Sequence, residues 1–394
     1  MFYILMNRKN PVLCFKLAEN YIESIREIYN EQLIPIAILD EGNIDNKRFF
    51  SWLSKRLIPT TRDNYATFIK NLRRKKIFEA ALMSHCLSLS DQYWICREDE
   101  DLNWDEINFF NNEYSYHIGN ITFENPPLGD INYISPDLTT NGWLRKAWRK
   151  KNNENYLIKA GSAPYYQEPV NEALASELLK RIGTVDYVSY ELTCINGVIC
   201  SVCKNFLNEH TEFVPAAAIY NYSKKDKDTS VYEHLIAQCE KFEIPNVKEF
   251  IDNMIAVDYL LANSDRHMGN FGFLRDLNTM KFIGPAPLFD NGTSLWNEDK
   301  TQTLQNTFDL AKPFAGTHEE QILIVKHLKL FDMKKLKGLS HIFYQLLDDI
   351  GTDEDRKYLL CEKLESKIES FNRIVKENNL SHKKNKEKET NIEI

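Results

Sequence analysis

At 394 residues the chain is too long for one typical hydrophobic core and is expected to form two or three modules. Its 43% hydrophobic and 27% charged residues fit a globular protein, and a formal net charge of −8 gives no general reason to expect duplex DNA or an anionic membrane as the main partner. No apolar run approaches the roughly 18–20 residues of a membrane span, and the opening MFYILMNRKNP puts its apolar stretch before its charges, the wrong order for a signal peptide, so a cytoplasmic chain is expected.

In chain order, residues 1 to about 120 combine an extended start with three amphipathic stretches that read as helices: FKLAENYIESIREIYNE, FFSWLSKRL and NYATFIKNLRRKKIFEAAL. The acid-rich CREDEDLNWDEINFFNNEY that follows reads as a solvated face, and TFENPPLGDINYISP carries the Pro and Gly signals of a boundary. Beyond it, NYLIKAG and SVCKNFL read as strands bracketing a helix, VNEALASELLKRIG. That helix lines up Leu174, Ala175, Leu178, Leu179 and Ile182 on one face and has Gly183 as a stop. Cys200 and Cys203 form a CxxC. With no second CxxC or His pair to complete a zinc site, and with strand-like alternation around them, they read as buried strand cysteines. All eight cysteines are scattered, as in a reducing compartment.

From about residue 215 the pattern is mainly helical, interrupted by short strands at FGFLRD and KFIG. VKEFIDNMIAVDYLLANSDRH carries an apolar stripe of Val247, Phe250, Ile251, Met254, Ile255 and Leu261, which delivers Asp265 to the loop after the helix. The polar tail SHKKNKEKETNIEI, residues 381–394, is expected to be disordered. The sum is an α+β chain: a strand-rich module, then a larger helical one, behind an extra amino-terminal domain.

The densest chemistry lies in NSDRHMGNFGFL. Asn270 follows Asp265 by five residues, and Asp290 follows in PLFDNGTSL, past the predicted strand pair. Oxygens from Asn270 and Asp290 can hold Mg²⁺, a hard cation that keeps phosphates and waters in its other positions. Asp265 is then free to accept a proton from an attacking hydroxyl, the order found in phosphoryl transfer by protein kinases. Taken alone, the run fits a structural turn equally well, because Asp and Asn are common turn formers. The preceding module adds weight: Lys159 ends the strand YLIK, and Glu172 opens the next helix thirteen residues later, as a Lys–Glu pair that holds the α- and β-phosphates would require. His267 fits either phosphate binding or a scaffold role. Arg266 reads as a structural ion-pair partner, and Trp143 and Trp148 read as packing residues.

On NYLIKAGS, NEALASELL, SVCKNF, NSDRHMGNFGFL and APLFDNGTSL, about residues 130 to 350 resemble the HipA-like serine/threonine kinases, whose catalytic fold is similar to that of phosphatidylinositol kinases. The resemblance implies a bilobal, protein-kinase-like α+β fold with an amino-terminal accessory domain (1–125), a strand-rich N-lobe (126–214) and a helical C-lobe (215–380), ahead of the tail. It implies ATP and Mg²⁺ as cofactors, Asp265 as catalytic base, Asn270 and Asp290 as metal ligands and Lys159 as the phosphate lysine. Lys204, Asn205 and Phe206 match the hinge that meets adenine. The phosphate loop would fall in SPDLTTNGWLRKAW, which places Thr140, Asn141 and Gly142 near the nucleotide, although one glycine does not make a GxGxxG loop. Family members phosphorylate themselves in this loop, so Ser135, Thr139 and Thr140 are candidate acceptors. The expected partners are a protein substrate and an antitoxin-like protein, with no direct nucleic-acid or membrane contact. The competing readings are a kinase of a lipid or small hydroxyl substrate, and a nucleotide-binding pseudokinase scaffold.

Overall fold

The structure is a computed structural model that describes residues 1–74, 76–325 and 332–390. The chain divides into two compact units. One contains Met1–Ser162, Tyr190–Pro245 and Phe271–Ala286; the other contains Ala163–Ser189, Asn246–Asn270 and the chain from Pro287 onward.

The first unit is built on antiparallel sheets. In the amino-terminal sheet the strands run in the order Ile22–Ile28, Asn10–Leu17, Phe2–Asn7, Tyr93–Arg97. This corrects the helix expected over FKLAENYIESIREIYNE. Ile22, Ile25 and Ile28 recur every three residues, which imitates a helical face. The register shows why a strand carries them: Phe15 pairs with Ile25 but Cys14 with Glu27, and Lys16 pairs with Ser24 but Leu17 with Ile22. Arg26 and Glu23 are therefore bulged out, and each bulge adds one residue to the strand's two-residue repeat. The other two expected helices form, as Asn46–Lys55 and as the pair Tyr65–Leu72 and Ile77–Met83.

A second four-stranded sheet has the order Lys146–Lys151, Glu154–Ala160, Val198–Lys204, Tyr190–Ile195. Lys159 lies on an inner strand, opposite Lys146 on one side and Ser201 on the other. Cys200 and Cys203 are both buried on Val198–Lys204, where residues three apart point to opposite faces and could not share a metal. A third sheet joins Thr211–Pro215, Gly272–Asp276 and Phe282–Pro285, the last two being the predicted strand pair.

These units cross the expected boundaries. Residues 1–125 share a unit with the 146–204 sheet because their apolar side chains form common clusters: Leu138 packs with the amino-terminal sheet, and Trp148 and Leu207 pack with Trp94, Trp104 and Phe109.

The second unit is helical, with Glu168–Ile182, Val247–Leu261, Leu339–Asp349 and Glu354–Thr390 as its long elements. Leu174, Ala175, Leu178, Leu179 and Ile182 are buried as the spacing predicts, and Gly183 ends their helix at φ +70°, donating its N–H to the Leu179 carbonyl. Val247–Leu261 is buried well beyond a stripe, for Asp252, Asn253 and Asp258 are buried along with its apolar residues. The last helix runs to Thr390, into the span expected to be a disordered tail, and 391–394 lie outside the described residues. Among the described residues no helix is long and apolar enough to cross a membrane.

Candidate functional site

In the second unit the Val247–Leu261 helix stops because Ala262 turns left-handed (φ 46°). Polar side chains then rebuild the backbone's lost hydrogen bonds. The Asn263 N–H donates to the Asp258 carbonyl at 3.0 Å, its side-chain amide donates to the Asp258 carboxylate at 3.1 Å, and its own oxygen accepts the Asp265 N–H at 3.0 Å. The loop closes on itself where Asn270 Nδ2 donates to the Asp265 carbonyl at 3.0 Å. Gly269 leaves room at the bend for the His267 ring, whose Nδ1 accepts the Gly269 N–H at 3.0 Å; a Cβ there would stand 2.9 Å from the ring and make it shift.

Arg266 turns inward and is fully buried. Its Nε and Nη2 grip Asp258 at 2.9–3.1 Å. Nη1 donates to the Asn270 carbonyl (2.9 Å) and the Phe289 carbonyl (2.6 Å), and Nη2 also donates to Asn291 Oδ1 (2.6 Å). Burial works against the guanidinium, but the Asp258 carboxylate outweighs it and keeps Arg266 firmly charged. One buried cation thus ties the Asp265–Asn270 loop to the segment bearing Asp290, which sits at φ +61°.

The Glu168–Ile182 helix braces that segment. Glu172 is buried and accepts the Asn291 N–H at 2.9 Å, while Asn171 donates to the Gly292 and Ser294 carbonyls at 2.8 and 2.7 Å. Gly292 lies so close to the helix that a Cβ would meet Glu168 at 3.2 Å.

Asp265, by contrast, is partly exposed. Lys312 donates to its Oδ1 at 2.9 Å, and His267 Nε2 lies 3.9 Å from Oδ2. His267 is itself half-exposed, so it is not a buried histidine, while its Nδ1 helps order the loop at Gly269. Asp258, Asn171, Asn291 and Lys312 were not singled out from the sequence. A lone acid in the apolar run AVDYLL, eight residues before Arg266, was the available signal for Asp258.

The other expected residues lie in the first unit. Lys159 is buried, with Nζ 3.2 Å from the Tyr190 hydroxyl and over its ring; Glu172 belongs to the other unit. Lys204 is an exposed ion-pair partner of Glu154. The Asn205 N–H donates to the Asn155 carbonyl at 2.7 Å and its side chain to the Leu89 carbonyl at 3.0 Å, and Phe206 packs edge-on against Phe213.

The 135–148 segment is held tightly. Ser135, Thr139 and Thr140 are buried. Ser135 donates to Asp137 (3.1 Å), Thr139 to the Leu87 and Pro136 carbonyls, and Thr140 to the Pro136 carbonyl (2.8 Å) while accepting from the Trp148 indole (2.9 Å). Buried Arg62, from the amino-terminal segment, donates to the carbonyls of Thr140 and Gly142. The Asp63 N–H reaches the Trp143 carbonyl at 2.8 Å. The Gly142 N–H (φ 103°) is taken by Asn141 Oδ1 at 2.7 Å, and Lys146 Nζ donates to the Asn141 carbonyl at 3.2 Å. Burial lowers the Arg62 guanidinium to about 10 and raises the Asp137 carboxyl to about 6.

Comparison with known proteins bears on this arrangement. The chain is 32% identical over 158 residues to the serine/threonine-protein kinase CtkA of Helicobacter pylori, a match that takes in 37% of this chain and 48% of CtkA. The chain therefore spans about half the length of the curated relative it matches. The crystal structure of the Helicobacter pylori proinflammatory kinase CtkA matches with 21% identity and a TM-score of 0.45, over 59% of this chain and 94% of that one. The Shewanella oneidensis toxin–antitoxin structure of HipA, HipB and operator DNA matches with 12% identity and a TM-score of 0.54, over 94% of this chain and 97% of that one, which is a likeness of fold. The model of the HipA-like C-terminal domain matches residues 135–355, more than half of the chain and all of the segments bearing Asp265, Asn270 and Asp290. The chain belongs to the family of proteins with a HipA-like C-terminal domain.

Proposed function

We propose that the chain is an ATP- and Mg²⁺-dependent serine/threonine protein kinase. The observation that carries this reading is the Arg266 framework, which fixes the loop of Asp265 and Asn270 to the segment of Asp290 while leaving the Asp265 carboxylate partly exposed. A general base must reach its substrate, whereas a purely structural aspartate in such a network would be buried as Asp258 is. The serine/threonine kinase CtkA supports the same reading as a relative.

The donor set suits Mg²⁺. With Nδ2 committed to the Asp265 carbonyl, the Asn270 amide offers its oxygen, and Asp290 adds a carboxylate; hard oxygen donors in this number leave room for phosphates and water. Bound Mg²⁺ would neutralise charge between phosphates. The chain's own residues do the rest. Asp265 takes the hydroxyl proton of the acceptor, Glu172 and Asn171 hold the Asp290 segment in place, and Lys159 carries positive charge for the nucleotide phosphates.

An antitoxin-like protein partner is part of this proposal, by analogy with HipB in the HipA complex. Self-phosphorylation at Ser135, Thr139 or Thr140 belongs to an opened form of the loop, because all three hydroxyls are buried and bonded as folded. The test is incubation with ATP labelled at the γ-phosphate and Mg²⁺, with and without acceptor protein. Label should appear on serine or threonine with the wild type and fall by ~10²-fold or more with Asp265→Asn, which should still bind ATP. Equal labelling by Asp265→Asn would refute the base assignment, and absence of any nucleotide binding by the wild type would refute the kinase reading.

A further inference from the structure

Lys312 reaches Asp265 from a segment of the expected C-lobe that carries none of the motifs read from the sequence. Residues 308–318 form a small hairpin in the second unit, with Leu310 bridged to Thr317, the Ala311 N–H on the Gly316 carbonyl at 3.0 Å and the His318 N–H on the Asp309 carbonyl at 3.0 Å. Its first arm alternates. Asp309 and Ala311 point inward, Asp309 accepting from the Trp296 indole at 2.7 Å and pairing with buried Lys367. Phe308 (85% exposed) and Leu310 (60%) point outward, as does Lys312, whose Nζ stands 2.9 Å from Asp265 Oδ1. The inward anchors therefore fix where Lys312 leaves the chain.

Stability does not account for the pair. Its lysine side chain is 54% exposed, and ion pairs so open to water contribute little to folding. What distinguishes it is the group it touches. An acceptor hydroxyl must come within hydrogen-bond reach of the Asp265 carboxylate, so the phosphorus it attacks and its non-bridging oxygens lie one further bond away. An ammonium already bonded to that carboxylate can turn onto those oxygens by rotating about its flexible stem.

We propose that Lys312 is a catalytic cation for the phosphoryl transfer, an inference that rests on the kinase reading above. In the step itself the acceptor oxygen forms a bond to the γ-phosphorus, and the bond from that phosphorus to the β–γ bridging oxygen breaks. The electron pair leaves with ADP, and the hydroxyl proton passes to Asp265. Lys312 stays protonated throughout. It trades its hydrogen bond to Asp265 for one to a non-bridging oxygen as negative charge spreads over the transferring group, which favours the transition state over bound ATP.

The experiment compares wild type, Lys312→Ala and Lys312→Arg under saturating ATP and Mg²⁺, with melting temperature measured for each. Lys312→Ala should lower kcat by ~10²-fold, the loss expected for one preorganised donor. Its KM for ATP should stay within about twofold and its melting temperature should be unchanged, and Lys312→Arg should recover most of the rate. A Lys312→Ala enzyme with wild-type or higher kcat would overturn the proposal, since the lysine would then be a bystander or a restraint on the base. A variant impaired only in KM would overturn it too, by assigning Lys312 to ground-state nucleotide binding. Absence of phosphoryl transfer in the wild type is a different result, and it would count against the kinase reading instead.

Discussion

Replacing Arg266 by methionine should be the most damaging single change in the candidate site. The guanidinium is fully buried and donates to Asp258, Asn270, Phe289 and Asn291. Its removal strands the Asp258 carboxylate with only the Asn263 amide, and breaking a buried pair in this way costs about 3–5 kcal/mol. That is a large share of the ~5–15 kcal/mol that holds a typical domain together. A companion variant separates the two consequences. Arg266→Met with Asp258→Leu removes both members of the buried pair, so its loss should shrink to about 2–3 kcal/mol, from the Asn270 and Phe289 carbonyls and the Asn291 side-chain oxygen left without a donor. Both variants release the loop from the Asp290 segment. The Mg²⁺ concentration for half-maximal turnover should therefore rise by ~10-fold or more in each, the range for losing a residue that orients a metal ligand. Urea denaturation and Mg²⁺ titration of ATP turnover provide the readouts. A single variant destabilised by less than about 1 kcal/mol, or a double variant with wild-type Mg²⁺ dependence, would show that Arg266 does not hold the two segments in register.

Asp290→Ala should abolish the Mg²⁺ dependence of ATP binding and reduce turnover severely; isothermal titration of ATP with and without Mg²⁺ checks it, and an unchanged metal requirement would place the ion elsewhere. Arg62→Ala frees the carbonyls of Thr140 and Gly142 and should destabilise the first unit by about 2–3 kcal/mol; proteolysis should then cut within 135–148 first, and equal resistance to wild type would refute the clamp. His318, buried, has its pKa lowered to about 4 by burial and then by Lys367. Its neutral form is the folded form, so stability is full above pH 6.5 and falls by up to ~3 kcal/mol as pH drops toward 4. Asp137, raised to about 6 by burial, acts with the opposite sign between about 6 and 3.8. The measurement is therefore the difference in stability between wild type and His318→Gln across pH 7 to 5, and a pH-independent difference would refute it.

What the sequence made legible depended on how local the determining contacts are. The Glu168–Ile182 helix and the Gly272–Asp276 and Phe282–Pro285 strands follow from periodicity and stop signals within a few residues. The order Asp265, Asn270, Asp290 was readable for the same reason, since each sits in a loop beside a predictable element. Ile22–Ile28 was misread because its bulges exist only in relation to the Asn10–Leu17 partner strand. Arg62 and Lys312 act on residues 78 to 80 and 47 positions away, and neither has a neighbour in sequence that announces its target. The threonine hydroxyls of the 135–140 turn look like surface acceptors in sequence, and only the folded packing shows them spent on the carbonyls of Leu87 and Pro136.

The density of polar side chains in NSDRHMGN has a mechanical reason. Under the proposed function, a loop that presents a charged carboxylate to a substrate cannot be held by that carboxylate, so other side chains have to fix its backbone. Asn263 takes the Asp265 N–H, Asn270 takes the Asp265 carbonyl, and Arg266 takes the Asn270 carbonyl. The main chain on both sides of Asp265 is thereby bonded without using the Asp265 carboxylate oxygens, which are left for Lys312, His267 and, in the proposed kinase, an acceptor hydroxyl. The division has a consequence for substitution. Changes at Asn263 or Arg266 should lower stability and activity together, whereas changes confined to the Asp265 carboxylate should lower activity alone, because no backbone group depends on it.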